Sequence, residues 1–281
     1  MARRLRDVVA VVLALTPFGA ACSTTPKSMP KASTSPTEAP TRLTYGDDPS
    51  QFAELWLPPD AAGPLPVVVL IHGGFWKAQY GLDLMTPLAK DLVARRFAVL
   101  NIEYRRVGQP GGGYPGTLVD VAAAVDLLAT ASAPLDLGKV VFVGHSAGGH
   151  LAHSAAGRGA LPSGAPGASP AVAPRLAIGQ GPVFNLIAGD AAGLGGGAVS
   201  AFLGGKAAAV PERYEIATPS TTAGVALAVV RGALDTIVPA EFTVPNPQGD
   251  VRSIDVPGED HFDLIDPASA SWAAVVKLIE S

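Results

Sequence analysis

Five consecutive large apolar residues, Val67 to Ile71, stop abruptly at His72-Gly73-Gly74. Similar apolar runs recur at Phe97 to Ile102, Val140 to Val143, Leu176 to Ile178 and Val225 to Val230. Runs that do not alternate with polar residues belong to strands covered on both faces. Between them apolar residues return at helical spacing, at Leu84, Leu88 and Leu92 and again at Leu118, Ala122, Val125 and Leu128. Strands alternating with helices predict an α/β fold, a mostly parallel central sheet with helices on both faces. Leu43 to Tyr45 and Ala53 to Leu57 predict a hairpin-like pair that precedes the sheet as an antiparallel edge. The more polar Val251 to Val256 predicts a last strand, and Trp272, Val275, Val276 and Ile279 give a closing helix one apolar face. Residues 157–174 and 188–205 are rich in Gly, Ala and Pro and carry neither period, so they are expected to be surface excursions of the kind that can form a small lid or cap.

The first part of the chain has a different pattern. Arg3, Arg4 and Arg6 form a positive stretch, Val8 to Leu15 an apolar one, and Gly19-Ala20-Ala21 a run of small residues, which together predict a secretion signal over residues 1–21. The apolar stretch is shorter than the ~20 residues a bilayer span needs. Cys22 comes next and resembles the lipobox cysteine of bacterial lipoproteins, with Gly19 standing where those sequences usually carry leucine. That resemblance implies an exported chain anchored to the membrane by lipid on Cys22, with plain secretion as the alternative. From Ser23 to Thr41, nine Ser or Thr and four Pro leave nothing to bury, so residues 22–41 are read as the lipobox cysteine and a tether. Residues 42–281 remain, roughly 240 positions, enough for one α/β domain.

Composition narrows the partners. Of 281 residues, 48% are apolar and 16% charged, which gives ample core, and the net charge of −4 has no basic run beyond the extreme N-terminus. A nucleic-acid partner is therefore not expected. One cysteine excludes an intrachain disulfide framework and a zinc site built from several thiolates.

Two glycine-rich turns carry the candidate chemistry. Gly144-His145-Ser146-Ala147-Gly148-Gly149 comes after a buried strand and opens a helix expected over Ala147 to Ala156, the setting of a nucleophile elbow. His72-Gly73-Gly74-Phe75-Trp76 also comes after a strand, and its backbone N–H groups, with that of Ala147, suit an oxyanion hole. Serine needs a base, and that base needs a carboxylate to fix its tautomer. Among five histidines, His72 reads as a brace for its loop, and His145 sits in the elbow with its side chain directed away from the serine. His150 and His153 read as packing or surface residues, since no third ligand accompanies them as a metal pair. His261, in the polar loop Pro257 to Asp263, is left as the base. Asp235 lies just after an apolar strand and is the expected acid; Asp260 is its rival but neighbours His261 in an extended loop, where adjacent side chains diverge. Tyr104, Arg105 and Arg106 read first as a structural hydrogen-bond cluster. Phe75, Trp76 and Tyr80 suit either an acyl or aryl pocket wall or core packing.

The HGGFW turn, Glu103-Tyr104-Arg105-Arg106, GHSAGGHLA, DHFDLIDP and the order Ser146, Asp235, His261 resemble the α/β-hydrolase superfamily, most closely small bacterial esterase/lipase-like members and kynurenine formamidases. The resemblance covers about Arg42 to Ser281. It implies backbone N–H groups of Gly74, Phe75 and Ala147 as oxyanion donors, with Gly73 shaping the turn. It also implies a serine hydrolase of carboxylic esters that requires no cofactor or metal. The chain departs from the family where Val238 to Pro247, broken by prolines, replaces a longer helix after the acid. The alternatives are an arylformamidase acting on formylkynurenine, against which the export signal argues, and a non-catalytic surface lipoprotein that keeps the fold for binding.

Overall fold

The computed structural model describes residues 39–61, 63–219, 224–243 and 251–281. The expected signal and Cys22 lie outside them. Eight strands form one sheet: β1 Thr41–Thr44, β2 Phe52–Trp56, β3 Leu65–Ile71, β4 Ala98–Ile102, β5 Leu135–His145, β6 Leu176–Gln180, β7 Ala226–Gly232 and β8 Val251–Val256. Their spatial order is β1-β2-β4-β3-β5-β6-β7-β8. β1 pairs antiparallel with β2 and β2 antiparallel with β4, and every later pairing is parallel. This is the mostly parallel sheet with an antiparallel edge that the pattern predicts. β5 is longer than its apolar run, because Leu135 and Asp136 pair with Leu65 and Pro66 before a register shift.

The described residues form eight α-helices, seven between strands and the last after β8: α1 Thr86–Ala94, α2 Gly116–Asp126, α3 Ala147–Ala156, α4 Leu186–Ala191, α5 Leu194–Leu203, α6 Pro211–Ala217, α7 Ala240–Thr243 and α8 Ala270–Glu280. Alternate residues of the central strands feed two cores. Val67, Val69 and Ile71 pack with Leu118, Val121, Leu151 and Phe202 on one face. Val68 and Leu70 pack with Leu88, Leu92, Trp272 and Val275 on the other. Burial on both faces explains why these strands are apolar at every position. α8 is started by Ser269, whose hydroxyl accepts from Trp272 N, a cap that stabilises a helix by about 1 kcal/mol. Trp272 is itself buried and donates from Nε1 to Asp91 Oδ2 of α1 at 2.7 Å, which joins the two helices of that face. Among the described residues no helix is long and apolar enough to cross a membrane.

The first glycine-rich stretch runs over the surface as expected, with every residue of 159–171 exposed or half-buried, and the second is built into the domain. Arg158, 3% exposed, donates to Asp126 Oδ2 at 2.6 Å and holds the first stretch against α2. In the second, Ala198, Val199, Phe202 and Leu203 of α5 are buried. Three left-handed glycines, Gly195 to Gly197, open this helix, and they conceal its period from the sequence.

Candidate active site

Ser146, Asp235, His261 and the His72 to Trp76 turn all come just after the carboxyl ends of parallel strands, where open α/β sheets place their sites. Ser146 comes directly after β5 and caps α3 with φ 54° and ψ −120°, a conformation that costs a non-glycine residue on the order of 1–3 kcal/mol and persists only where neighbours impose it. Here the neighbours are backbone. A Cβ at Gly144 would overlap Gly148 O, and one at Gly148 would overlap Ile71 O and His72 O, so glycine is the only residue that fits at either place. Ser146 N donates to Gln180 O at 2.8 Å, which ties the elbow to β6.

The turn after β3 packs directly on this elbow: a Cβ at Gly73 would lie 2.7 Å from His145 O and 3.0 Å from Ser146 Cβ. Gly74, Phe75 and Trp76 all have positive φ, at 104°, 52° and 55°. The N–H groups of Gly74 and Phe75 donate to no acceptor among the described residues. Ala147 is the first residue of α3, so its N–H has no partner within that helix. The donors implied by the resemblance thus have no acceptor among the described residues, and the turn that carries two of them packs on the elbow through Gly73.

Buried polar side chains brace this turn from below. His72 Nε2 donates to Glu103 Oε1 at 3.0 Å, its Nδ1 lies 2.9 Å from Gly73 O, and its ring stacks on Tyr104 at 4.3 Å. Tyr104 donates to His72 O at 2.7 Å. Glu103 also accepts from Tyr104 N and Leu82 N and pairs with Arg106 at 3.2 Å. Burial alone would raise the Glu103 carboxyl, but the His72 hydrogen bond and the His72 and Arg106 charges outweigh it and hold the group below the usual carboxylate range. Arg105 is clamped by both oxygens of Asp120. The Tyr104 to Arg106 cluster is therefore structural, and Glu103 is its centre, a role that spacing alone did not reveal.

On the opposite side, His261 Nδ1 donates to Asp235 Oδ2 at 2.6 Å, with both side chains 4% exposed. Asp235 Oδ1 accepts from Ile237 N and Val238 N, both at 2.9 Å. Asp260 faces its own loop, with Oδ1 accepting from Phe262 N and Asp263 N. The structure thus places Asp235, and not its rival, on the histidine. Gly181, with φ +54°, lies so close that a Cβ would come 3.0 Å from Asp235 Oδ2 and 3.2 Å from His261 Nδ1; no motif marked it. Ser146 and His261 are 2% and 3% exposed. No hydrogen bond joins the Ser146 hydroxyl to the His261 ring among the described residues, and such bonds often tighten only in the substrate complex. His145 is turned from the serine toward His261, with ring centroids 4.5 Å apart.

The remaining candidates are core residues or line the approach. His150 and His153 are fully buried and donate from Nε2 to Ala217 O and Ala228 O, and burial lowers both to about 4. They are packing residues with separate backbone partners. Trp76 is fully buried and stacks on Phe202 at 4.7 Å, which assigns it to the core. Phe75 lies under Gly195, whose carbonyl accepts from Lys77 Nζ at 2.9 Å. Tyr80, 38% exposed, covers Gly74.

Comparison with known proteins places the chain in a family. The BD-FAE family model matches residues 53–244. Esterase LipC of Mycobacterium tuberculosis is 33% identical over 121 residues, which is 40% of this chain and 28% of LipC. The matched segment spans about a quarter of the length of the first curated relatives it resembles. Among solved structures, a truncated carbohydrate esterase from gut microbiota superposes with a TM-score of 0.72 at 18% identity, covering 87% of this chain and 95% of that one. Esterase B from Lactobacillus rhamnosis, inhibited by a tributyrin phosphonate, does so with 0.67 at 20% identity, covering 86% and 83%. The fold is that of the α/β-hydrolases.

Proposed function

The chain belongs to the BD-FAE family, and on that premise we propose that it is a serine hydrolase that cleaves carboxylic esters through an acyl-enzyme on Ser146. The observation that carries this reading is the buried 2.6 Å pairing of His261 with Asp235, on the face where Ser146 is held in a strained elbow beside unbonded N–H groups. The carboxylate keeps the proton on Nδ1, which leaves Nε2 as the base. Ser146 loses its proton to His261 and attacks the ester carbonyl, and the oxyanion lies against the N–H groups of Gly74, Phe75 and Ala147. The imidazolium then returns the proton to the leaving alcohol, and water activated by the same histidine releases the acyl group. The esterase names of LipC and the fold neighbours support the ester bond as the target.

The test is labelling by a fluorophosphonate together with turnover of a short-chain nitrophenyl ester, each against Ser146→Ala, with formylkynurenine as the comparison substrate. Wild-type labelling and ester turnover that vanish in Ser146→Ala are expected. An unlabelled wild type would point to a binding protein, and a preference for formylkynurenine to an arylformamidase. Export with lipid on Cys22 is a separate proposal, supported by the pattern of residues 1–22 alone. Radiolabelled palmitate incorporated by the wild type and lost in Cys22→Ser is the expected result.

A further inference from the structure

The sheet ends on a rung whose two side chains both reach the segment carrying His261. His145 closes β5 and Gln180 closes β6, and the two are register partners. Both are buried, and each sends a side-chain N–H to a main-chain carbonyl across the site. His145 Nε2 donates to His261 O at 3.0 Å, and Gln180 Nε2 donates to Leu264 O. Nδ1 of His145 has no partner among the described residues, so the single proton of this buried neutral ring belongs on Nε2. The ring is packed between the two loops of the site: a Cβ at Gly73 would lie 3.0 Å from His145 Nδ1, and the His261 ring lies on its other side.

We propose that His145 and Gln180 form a two-point anchor that positions the His261 loop over Ser146, which makes both positioning residues for the reaction. The proposal rests on the serine-hydrolase reading. The loop's own hydrogen bonds, from Phe262 N and Asp263 N to Asp260 and from Asp260 N to Asp263, are local and exposed. They shape the turn without fixing it to the sheet. Leu234 N holds Glu259 O, at the loop's start, and Asp235 holds only the Nδ1 side of the imidazole ring. The anchor fixes the main chain at the base itself and three residues beyond it. Because His145 immediately precedes Ser146, its bond ties the main chain at the base to the residue beside the nucleophile.

The experiment measures the fluorophosphonate labelling rate of Ser146, together with kcat and KM on a nitrophenyl ester, in the full chain. The variants are His145→Leu, His145→Gln and Gln180→Met. Loss of the donor in His145→Leu should slow labelling and kcat by about 100-fold, the scale of a 1 Å misplacement, with KM unchanged. His145→Gln carries an amide N–H at nearly the reach of Nε2 and should recover most of the loss. Gln180→Met, which keeps the length and removes the donor, should show a smaller loss in kcat with KM again unchanged, and it tests the anchor even where His145→Leu fails to fold. Wild-type labelling rates in His145→Leu and Gln180→Met, or a His145→Gln no better than His145→Leu, would overturn the anchor alone. A wild type that resists labelling would overturn the serine-hydrolase reading and the anchor with it.

Discussion

Replacing Asp235 by asparagine removes one charge and almost no volume, so the surrounding hydrogen bonds decide how the site responds. Asp235 Oδ1 accepts from two backbone N–H groups, those of Ile237 and Val238, while Oδ2 faces His261 Nδ1. An amide keeps its oxygen on the two N–H groups, because the flipped orientation would leave both without an acceptor at about 1–3 kcal/mol each. Its NH2 is therefore presented to Nδ1, which must become the acceptor. The imidazole proton moves to Nε2, and the lone pair that would receive the Ser146 proton is lost. The expected fall in kcat is about 10,000-fold, or roughly 5 kcal/mol of transition-state stabilisation, with KM and thermal stability nearly unchanged because the shape is kept. The assay is steady-state hydrolysis of a nitrophenyl ester beside a thermal melt, with Asp260→Asn run in parallel. A loss below about tenfold in Asp235→Asn, against the expected 10,000-fold, or an equal loss in Asp260→Asn, would refute the reasoning.

The same contacts set three further outcomes. Gly148→Ala drives a methyl into Ile71 O and His72 O, backbone atoms that cannot rotate away; it should destabilise the fold by at least the ~1–3 kcal/mol of an overpacked core, read as a lower denaturant midpoint. Gly181→Ala presses on Asp235 and His261 from a left-handed position and should depress kcat far more than KM; unchanged kcat would show that the pair tolerates displacement. Burial lowers the imidazoles of His145, His150 and His153 to about 3, about 4 and about 4, so between pH 6.5 and 4 the unfolded chain binds more protons than the folded one. Stability should therefore fall as pH drops through that window, by up to about 4 kcal/mol per pH unit for three histidines; denaturant midpoints that stay flat from pH 7 to 5 would contradict it.

What could be read from the residues depended on how local the cause was. The elbow and the oxyanion turn are set by glycines adjacent in sequence to the groups they serve, and both were legible. The choice of Asp235 over Asp260 was legible too, because neighbours in an extended loop diverge. Gln180, Gly181 and the bond from His145 to the His261 carbonyl were not legible, since their partners lie across strand pairings that no periodicity encodes. Glu103 was visible only as part of a charged run, because the His72 that gives it meaning follows another strand. The helix Leu194–Leu203 was missed for another reason: Gly195 to Gly197 carry no side chains to mark a face, and the buried Val199 and Phe202 beyond them are too few to restore the period.

The order of the strands has a further consequence for how the protein matures. Ser146 leaves β5, near the middle of the sheet, whereas His261 comes after β8, which is an edge and the last strand in the chain. The elbow and the glycine-rich turn after β3 stand at the centre of the sheet, where β3, β5 and β6 lie side by side, whereas the proposed base His261 joins them only when β8 has paired with β7. Within that centre Val67 of β3 pairs with Val140 of β5, and a pairing so distant in sequence forms slowly. In refolding, then, recovery of the proposed turnover should trail recovery of secondary structure, because it needs both the β3–β5 pairing and the docking of β8.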